Sequence, residues 1–286
     1  MDNMFTVLPM SQAISLSAGE VYTGKITIVN PADATTDFQY KIDVSPYGVD
    51  GESYDANLST ETTRTQIANW IEISEPTGTL KPNETREVEY TIKVPENSPA
   101  GGQYAAITVM SNDDSAVEEG GAAVKNVFEM ASLIYASIAG ETNHDGKIEE
   151  NNIPGFVLSE PITVTSKFTN NGNIHEAATI KLEVTDFMTG AKIFPADDNA
   201  DENTNTYTEL IMPETTRLLS RDINNLPLIG VVNVKQTIYY NGDVSIEEQN
   251  VIICPIWFMA AVAVVIGGII ALIVRKIVKR RKERTI

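Results

Sequence analysis

The sequence is poor in the residues that build disulfide frameworks, metal centres and nucleophilic sites. It has one cysteine, Cys254, and two histidines, His144 and His175, among 286 residues. A single cysteine excludes a disulfide scaffold and every cysteine-rich metal site. Two histidines exclude most histidine-ligated zinc centres. No serine or cysteine motif lies beside either histidine, and pairs of carboxylates arise by chance in an acidic chain. The sequence therefore predicts no enzyme and no cofactor.

The chain is also short of positive charge. It has 21 Lys and Arg against 39 Asp and Glu, and its formal net charge is −18 at pH 7. Because binding to phosphate needs clustered Lys and Arg, this balance argues against a nucleic-acid partner. Seven of the 21 basic residues lie in residues 275–286. Such a split along one chain is typical of a membrane protein.

Charge is missing altogether from residues 253–274, which read ICPIWFMAAVAVVIGGIIALIV. At about 1.5 Å of rise per residue, a helix of this length crosses the roughly 30 Å hydrocarbon core of a bilayer. The alternative is a buried core helix, which fits the flanking basic residues less well. The sequence predicts a transmembrane helix at 253–274, a basic tail at 275–286 and the lipid bilayer as a partner.

The basic tail also predicts the orientation of this span. Lys and Arg beside a span stay in the cytoplasm, so residues 1–252 are expected outside a cell membrane that the chain crosses once. That orientation normally needs a signal peptide, yet MDNMFTVLPMSQ at the start has neither a basic region nor an apolar core. We therefore expect a signal that was removed or missed. The rival is a tail-anchored protein facing the cytosol.

Apolar and polar residues alternate along much of residues 20–252. FQYKIDV at 38–44 and REVEYTIKV at 86–94 each place an apolar stripe on one face. This period of two predicts half-buried strands of antiparallel sheets. Turn signals such as Asn30-Pro31 and Asn241-Gly242 separate the strands. The pattern predicts an all-β chain with two immunoglobulin-like β-sandwich domains before the helix.

The acidic, glycine-bearing residues 113–125 are interpreted as a linker or loop between these domains. The first domain is then 1–112 and the second is 126–252, so the second leads almost directly into the span. The alternative is that 113–125 forms a long hairpin loop within the first domain. FEMASLIYASIAG at 128–140 is either a strand pair or one long strand.

Two acidic loops are candidates for calcium. The first has a glycine at its sixth position and oxygen-bearing residues at alternate positions, as in the start of an EF-hand loop, but no helices flank it. The second has the same spacing without the glycine. Such residues also make ordinary turns, so the main prediction is no metal, with calcium as the alternative. The candidate ligands are Glu141, Asn143 and Asp145 in the first loop and Asp197, Asn199 and Asp201 in the second.

Two further patterns have ordinary explanations beside functional ones. Leu226–Gly230 is similar to a cell-wall sorting motif, but Ile229 stands where that motif has threonine, so we interpret it as the start of a strand. Glycan binding uses aromatic platforms, although packing is the ordinary role of tyrosine in a β-sandwich. Candidate platforms are Tyr47, Tyr54, Tyr207, Tyr239 and Tyr240.

Several short motifs resemble those of a known family. They are Gly19-Glu20-Val21, Val29-Asn30-Pro31, Leu80-Lys81-Pro82-Asn83, Pro99-Ala100-Gly101-Gly102 and FTNNGNIH at 168–175. With the terminal span and basic tail, they resemble the WxL-interacting proteins of Gram-positive bacteria. In that family a peptidoglycan-binding domain precedes a second immunoglobulin-like domain and a membrane anchor.

The resemblance implies a membrane-anchored protein of the bacterial envelope that attaches to peptidoglycan and to other surface proteins. The span and the two β-domains favour the same broad class, a cell-surface binding or adhesion protein. The alternative is a structural stalk or assembly subunit of an envelope complex. Such a subunit would hold its partners through the span and the domain next to the membrane.

Overall fold

The computed structural model describes residues 5–111, 117–119, 122–124, 128–193 and 205–283. The chain divides into two compact units. Unit 1 consists of Met1–Gly146 and two short later segments, Asn170–Glu176 and Ile211–Arg217. Unit 2 consists of Lys147–Thr169, Ala177–Leu210 and Leu218–Ile286.

Unit 1 is an immunoglobulin-like β-sandwich with one 3-10 helix, Gln66–Trp70. Its strands are β1 (Thr6–Leu8), β2 (Ser11–Leu16), β3 (Val21–Val29), β4 (Phe38–Pro46), β5 (Gly48–Asp50), β6 (Asp55–Asn57), β7 (Ile71–Ile73), β8 (Thr77–Leu80), β9 (Thr85–Lys93), β10 (Gly101–Ser111), β11 (Val117–Glu119), β12 (Ala122–Val124) and β13 (Glu129–Ile138). One sheet has the order β1-β3-β9-β7, and the other has the order β2-β13-β10-β4-β8. β5 pairs with β6 and β11 with β12.

The core of unit 1 lies between its two main sheets, because alternate residues of each strand point inward. Ile26 and Ile28 of β3 are fully buried, and so are Val88, Tyr90 and Ile92 of β9. These positions confirm the period of two. β10 differs, because all nine residues at its start are buried. This strand is therefore covered on both faces.

The predicted linker at 113–125 does not separate two domains. β10 and β13 pair antiparallel from Gly101 with Ile138 to Met110 with Glu129, so both strands belong to one sheet of unit 1. β11 and β12 pair with each other, and the remainder of 112–127 lies outside the described residues. The predicted boundaries of 1–112 and 126–252 are therefore wrong. The hairpin alternative holds, residues 129–138 form one strand, and unit 1 continues to Gly146.

Unit 2 is a second immunoglobulin-like β-sandwich followed by the only helix of type α in the described part of the chain. Its strands are β14 (Gly146–Asn152), β15 (Phe156–Val157), β16 (Ile162–Asn170), β17 (Glu176–Asp186), β18 (Lys192–Ile193), β19 (Thr206–Ile211), β20 (Thr215–Ile223), β21 (Gly230–Tyr240) and β22 (Asp243–Ile253). One sheet has the order β14-β16-β20 and the other β15-β22-β21-β17-β18, with β19 also paired to β17.

The turn predicted at Asn241-Gly242 is confirmed, and a second turn joins β17 to β18. Asn241 and Gly242 join β21 to β22 with positive φ angles of 48° and 82°, as a tight hairpin turn requires. Asp186–Gly190 joins β17 to β18, and the amide of Gly190 donates to the carbonyl oxygen of Asp186 at 2.8 Å. Both turns fix the register of the sheet that leads into the terminal helix.

A buried asparagine side chain ties a loop to a strand end at two places. Asn30 follows β3, and its Nδ2 donates to the carbonyl oxygens of Thr36 and Leu80 at 3.2 and 3.1 Å. Asn170 ends β16, and its Nδ2 likewise donates to two carbonyl oxygens, at 2.8 and 3.1 Å. Both side chains are buried, so each satisfies carbonyl groups that water does not reach.

The final element is α1 (Ile256–Glu283). An 18-residue stretch within Ile256–Ile277 has a mean hydropathy of 2.7, so this segment is long and apolar enough to cross a membrane. The alternative of a buried core helix is wrong, because 0% of the segment is buried. The predicted start at residue 253 is also wrong, because Ile253 pairs with Gly230 as the last residue of β22. The helix continues into the basic tail as far as Glu283.

Candidate functional site

Unit 1 contains a cavity of about 210 Å³, called here the unit 1 cavity. Tyrosine, threonine and arginine side chains dominate its wall, together with one carboxylate. Such a lining offers hydroxyl and guanidinium donors beside aromatic faces, which suits a sugar or a short polar peptide. The lining residues are Tyr47, Gly48, Val49, Thr60, Thr62, Arg64, Thr65, Tyr104, Met212, Pro213, Glu214 and Thr215.

Arg64 is the basic group of this cavity. Its Nε lies 3.3 Å from a carboxylate oxygen of Glu214, and its guanidinium donates to the carbonyl oxygen of Ala100 at 3.0 Å. The carbonyl oxygen of Arg64 accepts from the amide of Tyr104 at 2.8 Å. The side chain of Arg64 is only 16% exposed, whereas that of Glu214 is 55% exposed. The cavity therefore holds a positioned cation at its wall and a carboxylate closer to solvent.

Tyr54 is fixed beside the same cavity. Its hydroxyl bonds to the hydroxyl of Thr215 and accepts from the amide of Met212 at 2.8 Å. The guanidinium carbon of Arg217 lies 4.5 Å from the centre of the Tyr54 ring, within the range of a cation–π contact. Burial raises the pKa of the Tyr54 hydroxyl, so this group stays neutral at physiological pH.

Buried Tyr104 and half-buried His175 form a hydrogen-bonded pair in unit 1. The amide of His175 donates to the Tyr104 hydroxyl at 3.0 Å, and the same hydroxyl lies 3.1 Å from His175 Nδ1. Since the hydroxyl has one proton, it accepts from the amide and donates to Nδ1, which leaves the ring proton of neutral His175 on Nε2. The Tyr135 ring packs edge-on against both rings, with centres 5.8 and 5.6 Å away.

Burial sets the protonation states of this pair. Burial lowers the pKa of His175 below its ordinary value, against the opposing effect of the Glu176 carboxylate. Burial also raises the pKa of the Tyr104 hydroxyl. Both side chains therefore stay neutral near pH 7.

We expect Tyr104→Phe to lower the free energy of unfolding of unit 1 by about 1–3 kcal/mol, because the His175 amide loses its partner in a buried site. The measurement is denaturant unfolding followed by Trp70 fluorescence, in a Trp257→Phe background so that unit 1 alone reports. A change of less than about 0.5 kcal/mol would contradict the geometry, because surface substitutions already reach that size.

The pH dependence gives this prediction a second readout. A histidine whose pKa is depressed in the folded state favours folding above its unfolded pKa, and that contribution is lost as pH falls through the folded pKa. Unit 1 should therefore lose stability below about pH 6.5. Tyr104→Phe removes the proton donated to Nδ1, which raises the pKa of His175. As pH falls below about 6.5, the difference in free energy of unfolding between the variant and the parent chain should then shrink.

The first part of β13 is a second candidate surface, called here the β13 edge and defined as Glu129–Ser132. These residues pair with β10 on one side. On the other side β2 begins to pair only at Leu133 with Ser11. Within the described part of the chain, no strand pairs with the outer side of the β13 edge. Its outward amide and carbonyl groups therefore form a short template for another strand.

Exposed apolar side chains frame this edge. Met10 lies beside Leu133, since the Met10 carbonyl oxygen accepts from the Leu133 amide at 2.9 Å. Phe128 directly precedes Glu129 and is 50% exposed, and Met10 is 69% exposed. Leu8, two residues before Met10 in the chain, is also exposed. Apolar side chains on both sides of an open strand edge are typical of a protein-binding surface.

The alternation of strand backbone identifies the donor groups. The Leu133 amide faces β2, so by the period of two the amides of Ala131 and Glu129 face the same way. The carbonyl oxygen of Phe128 accepts from the Ser111 amide at 2.9 Å and so points to β10, as this alternation requires. The β13 edge thus presents Ala131 as its central outward hydrogen-bonding residue.

The structure describes one of the two predicted calcium loops. Glu141, Asn143 and Asp145 have exposed side chains. The backbone carbonyl oxygens of Asn143 and Asp145 accept from the amides of Asn173 and Asn171 at 3.1 and 2.8 Å, so neighbouring backbone already uses two oxygens of the loop. Among the described residues, no three acidic, histidine or cysteine side chains cluster as a metal site would require. Calcium at this loop stays a prediction.

The second calcium candidate and the remaining predicted residues lie elsewhere. Asp197, Asn199 and Asp201 fall outside the described residues. Tyr47 lines the unit 1 cavity and Tyr54 lies beside it, so the structure brings these two aromatic candidates together. The other three do not join them: Tyr207 and Tyr240 are buried in the sheets, and Tyr239 is exposed on β21. Leu226–Ile229 lie in the loop before β21, so only Gly230 of the predicted strand start belongs to a strand.

The cavity residues Arg64 and Tyr104 and their neighbour His175 are not recognisable as a site in the sequence. They come from segments far apart in the chain, and each is flanked by ordinary strand or turn residues. The signal that does exist is GQYAAITVM at 102–110, whose mostly apolar composition without strict alternation is typical of a strand covered on both faces. The β13 edge follows from pairing register, which the sequence does not specify.

No family model and no curated protein matches the sequence. Among solved structures, a chain of the chaperone–tip adhesin complex of CFA/I fimbriae is 14% identical, over 86% of this chain and 99% of that one, with a TM-score of 0.40. A chain of the SafA pilin–SafB chaperone complex of Salmonella enterica is 11% identical, over 88% of this chain and 99% of that one, with a TM-score of 0.40. The E. coli chaperone DraB is 14% identical, over 86% of this chain and 96% of that one, with a TM-score of 0.38. Likeness at this level carries no argument about function.

Proposed function

We propose that this chain is a membrane-anchored assembly subunit of a bacterial envelope complex, which holds a partner protein along the β13 edge. It lies outside the membrane, is anchored once by α1 and keeps its basic tail in the cytoplasm. The observation that carries the proposal is the unpaired outer side of the β13 edge, with exposed Leu8, Met10 and Phe128 nearby. A partner strand added there would gain main-chain hydrogen bonds and bury all three side chains.

The anchor and the charge distribution support this assignment. Residues 256–274 carry no charge and are exposed, and basic residues begin at Arg275. Positive charge beside a span favours the cytoplasmic side. The proposed role is binding, with no reaction assigned to any residue. It corresponds to the assembly-subunit alternative, while membership of the WxL-interacting family remains a proposal.

A photo-cross-linking amino acid at Glu129, in the full chain and in living cells, tests the proposal. We expect a discrete cross-linked product with one envelope protein, and Ala131→Pro should abolish it. Proline removes the outward amide of Ala131 without touching the hydrogen bonds to β10, and proline is tolerated on edge strands. The matched control is Ala131→Ser, which keeps the amide and should keep the product.

Two outcomes would contradict this proposal. A product that survives Ala131→Pro would show that the edge amide does not bind the partner. A product formed with a second copy of the chain would show that the β13 edge serves self-assembly and does not bind an envelope partner. The unfolding transition reported by Trp70 must stay unchanged in Ala131→Pro, so that lost cross-linking reflects the edge and not the fold.

A second candidate function is attachment to peptidoglycan at the unit 1 cavity. The observation that favours it is the combination of the Tyr47 ring, the Arg64 guanidinium and threonine hydroxyls in one wall. Co-sedimentation of the detergent-solubilised chain with insoluble peptidoglycan, with and without calcium, tests it. Binding that is weakened by Arg64→Met but not by Ala131→Pro would support the cavity, and absence of binding would leave the β13 edge as the proposed site.

A further inference from the structure

Unit 2 has a cluster of exposed apolar residues at the end from which α1 emerges. β22 ends at Ile253 and α1 begins at Ile256. Gly230, the first residue of β21, pairs with Ile253, and Phe156 of β15 pairs with Ile252. The amide of Phe187, just after β17, donates to the carbonyl oxygen of Val231 at 3.1 Å. Three loops therefore meet the sheet edge at the last residues before the helix.

The tips of these loops are apolar. Met188 is 85% exposed and Leu228 is 81% exposed, which is unusual for side chains of this size. Four more large apolar side chains of the same loops are also exposed. We call the whole set the apolar rim: Phe156, Leu158, Phe187, Met188, Leu228 and Ile229.

Local hydrogen bonds fix two of these loops. The Asp186 carboxylate accepts from the amides of Met188 and Thr189 at 3.0 and 2.8 Å, which fixes the turn that exposes Met188. These donors also lower the pKa of Asp186, with the Thr189 hydroxyl giving the largest effect. The Glu160 carboxylate accepts from the amide of Leu226 at 3.1 Å. Loop backbone therefore binds the Asp186 and Glu160 carboxylates, while the side chains of Met188 and Leu228 are exposed.

We propose that the apolar rim inserts into the outer interface of the lipid bilayer and seats unit 2 on the membrane surface. Only two residues, Cys254 and Pro255, separate the paired end of the sheet from α1, so a bilayer crossed by α1 begins beside the rim. Transfer of exposed Phe, Leu and Met side chains from water to the interface is favourable, and the same holds for Trp257 in the first turn of α1. The proposal rests on the membrane anchoring assigned above and adds a second lipid contact to it.

The opposite end of the same sheet provides the internal control. β22 is 11 residues long, so Asp243 lies about 35 Å from Ile253 along the strand. Asp243 is exposed and polar. A bilayer interface that reaches Met188 and Leu228 does not extend to Asp243.

The test uses the full chain in vesicles of phosphatidylethanolamine and phosphatidylglycerol. Met188→Cys, Leu228→Cys and Asp243→Cys are each made in a Cys254→Ser, Trp70→Phe background and labelled with a polarity-sensitive fluorophore. We expect a blue shift at positions 188 and 228, and loss of most of their fluorescence when lipids carry a nitroxide near the headgroup. The label at position 243 should show neither change.

Quenching of Trp257 by brominated lipids, measured on the same samples, separates the two proposals. If Trp257 is quenched while labels at 188 and 228 behave like the label at 243, the helix spans the membrane and the rim proposal is overturned. If Trp257 is not quenched, the anchoring fails, and the rim proposal fails with it.

Discussion

The double substitution Ile266→Arg with Ile270→Arg should release the protein from membranes. Both residues lie near the centre of Ile256–Ile277 and are exposed on the helix surface. Arginine at the centre of a span costs about 2.5–3.5 kcal/mol on insertion scales, so two residues cost about 5–7 kcal/mol. That penalty changes an insertion equilibrium by a factor of about several thousand to a hundred thousand, because every 1.4 kcal/mol is about tenfold.

Cell fractionation after alkaline carbonate extraction measures this effect. The parent chain should remain in the membrane pellet, and the double variant should move to the supernatant. Ile266→Leu with Ile270→Leu is the matched control, since it changes side-chain shape without adding charge. A double variant that still resists carbonate extraction would contradict a spanning role for α1. Such an outcome would also remove the anchor on which the proposed function depends.

The strands and turns were predictable because each depends on neighbours in the sequence. The alternation at 86–94 needs only local information, and it became β9 with its apolar stripe in the core. The turn Asn241-Gly242 is equally local, since few other residue pairs adopt two positive φ angles. The helix was predictable from its charge-free length alone.

The prediction of a domain boundary at 113–125 was wrong for a physical reason. Residues 113–125 are acidic, small and glycine-bearing, and such a composition suits both a linker and the tip of a long hairpin. Only the pairing of β10 with β13 distinguishes the two, and pairing joins residues that are not adjacent in the chain. β10 itself carries the missing signal, because its run of nine buried residues requires neighbours on both faces.

The candidate sites were less predictable than the fold. Arg64 reaches Glu214 across 150 positions of sequence, and Tyr104 reaches His175 across 71. No local pattern marks such pairs, so composition and motif spacing miss them. The apolar rim is a similar case. From the sequence, Leu228 was predicted to be part of a strand start. Its exposure beside the membrane helix follows only from the sheet register, which pairs Gly230 with Ile253.

Asn30→Asp should lower the free energy of unfolding of unit 1 by about 3–5 kcal/mol at neutral pH, the range for an uncompensated buried charge. The Asn30 side chain is 3% exposed, and its amide nitrogen donates to the carbonyl oxygens of Thr36 and Leu80. A carboxylate in this place removes both donors and brings negative charge against two carbonyl oxygens. Asn30→Ala should cost less, about 1–3 kcal/mol, because it leaves unpaired carbonyls without burying a charge.

The difference between Asn30→Asp and Asn30→Ala should depend on pH with a fixed sign. Burial and the facing carbonyl oxygens raise the pKa of the new carboxyl group in the folded state, since both favour its neutral form. Stability is then fully present below the unfolded pKa, about 4, and is lost as pH rises through the raised folded pKa. Trp70 fluorescence in the Trp257→Phe background follows the unfolding, and exposed Asn97→Asp controls for added charge. A pH-independent difference would mean that the introduced carboxyl group reaches solvent, and that the loop held by Asn30 opens more readily than its hydrogen bonds imply.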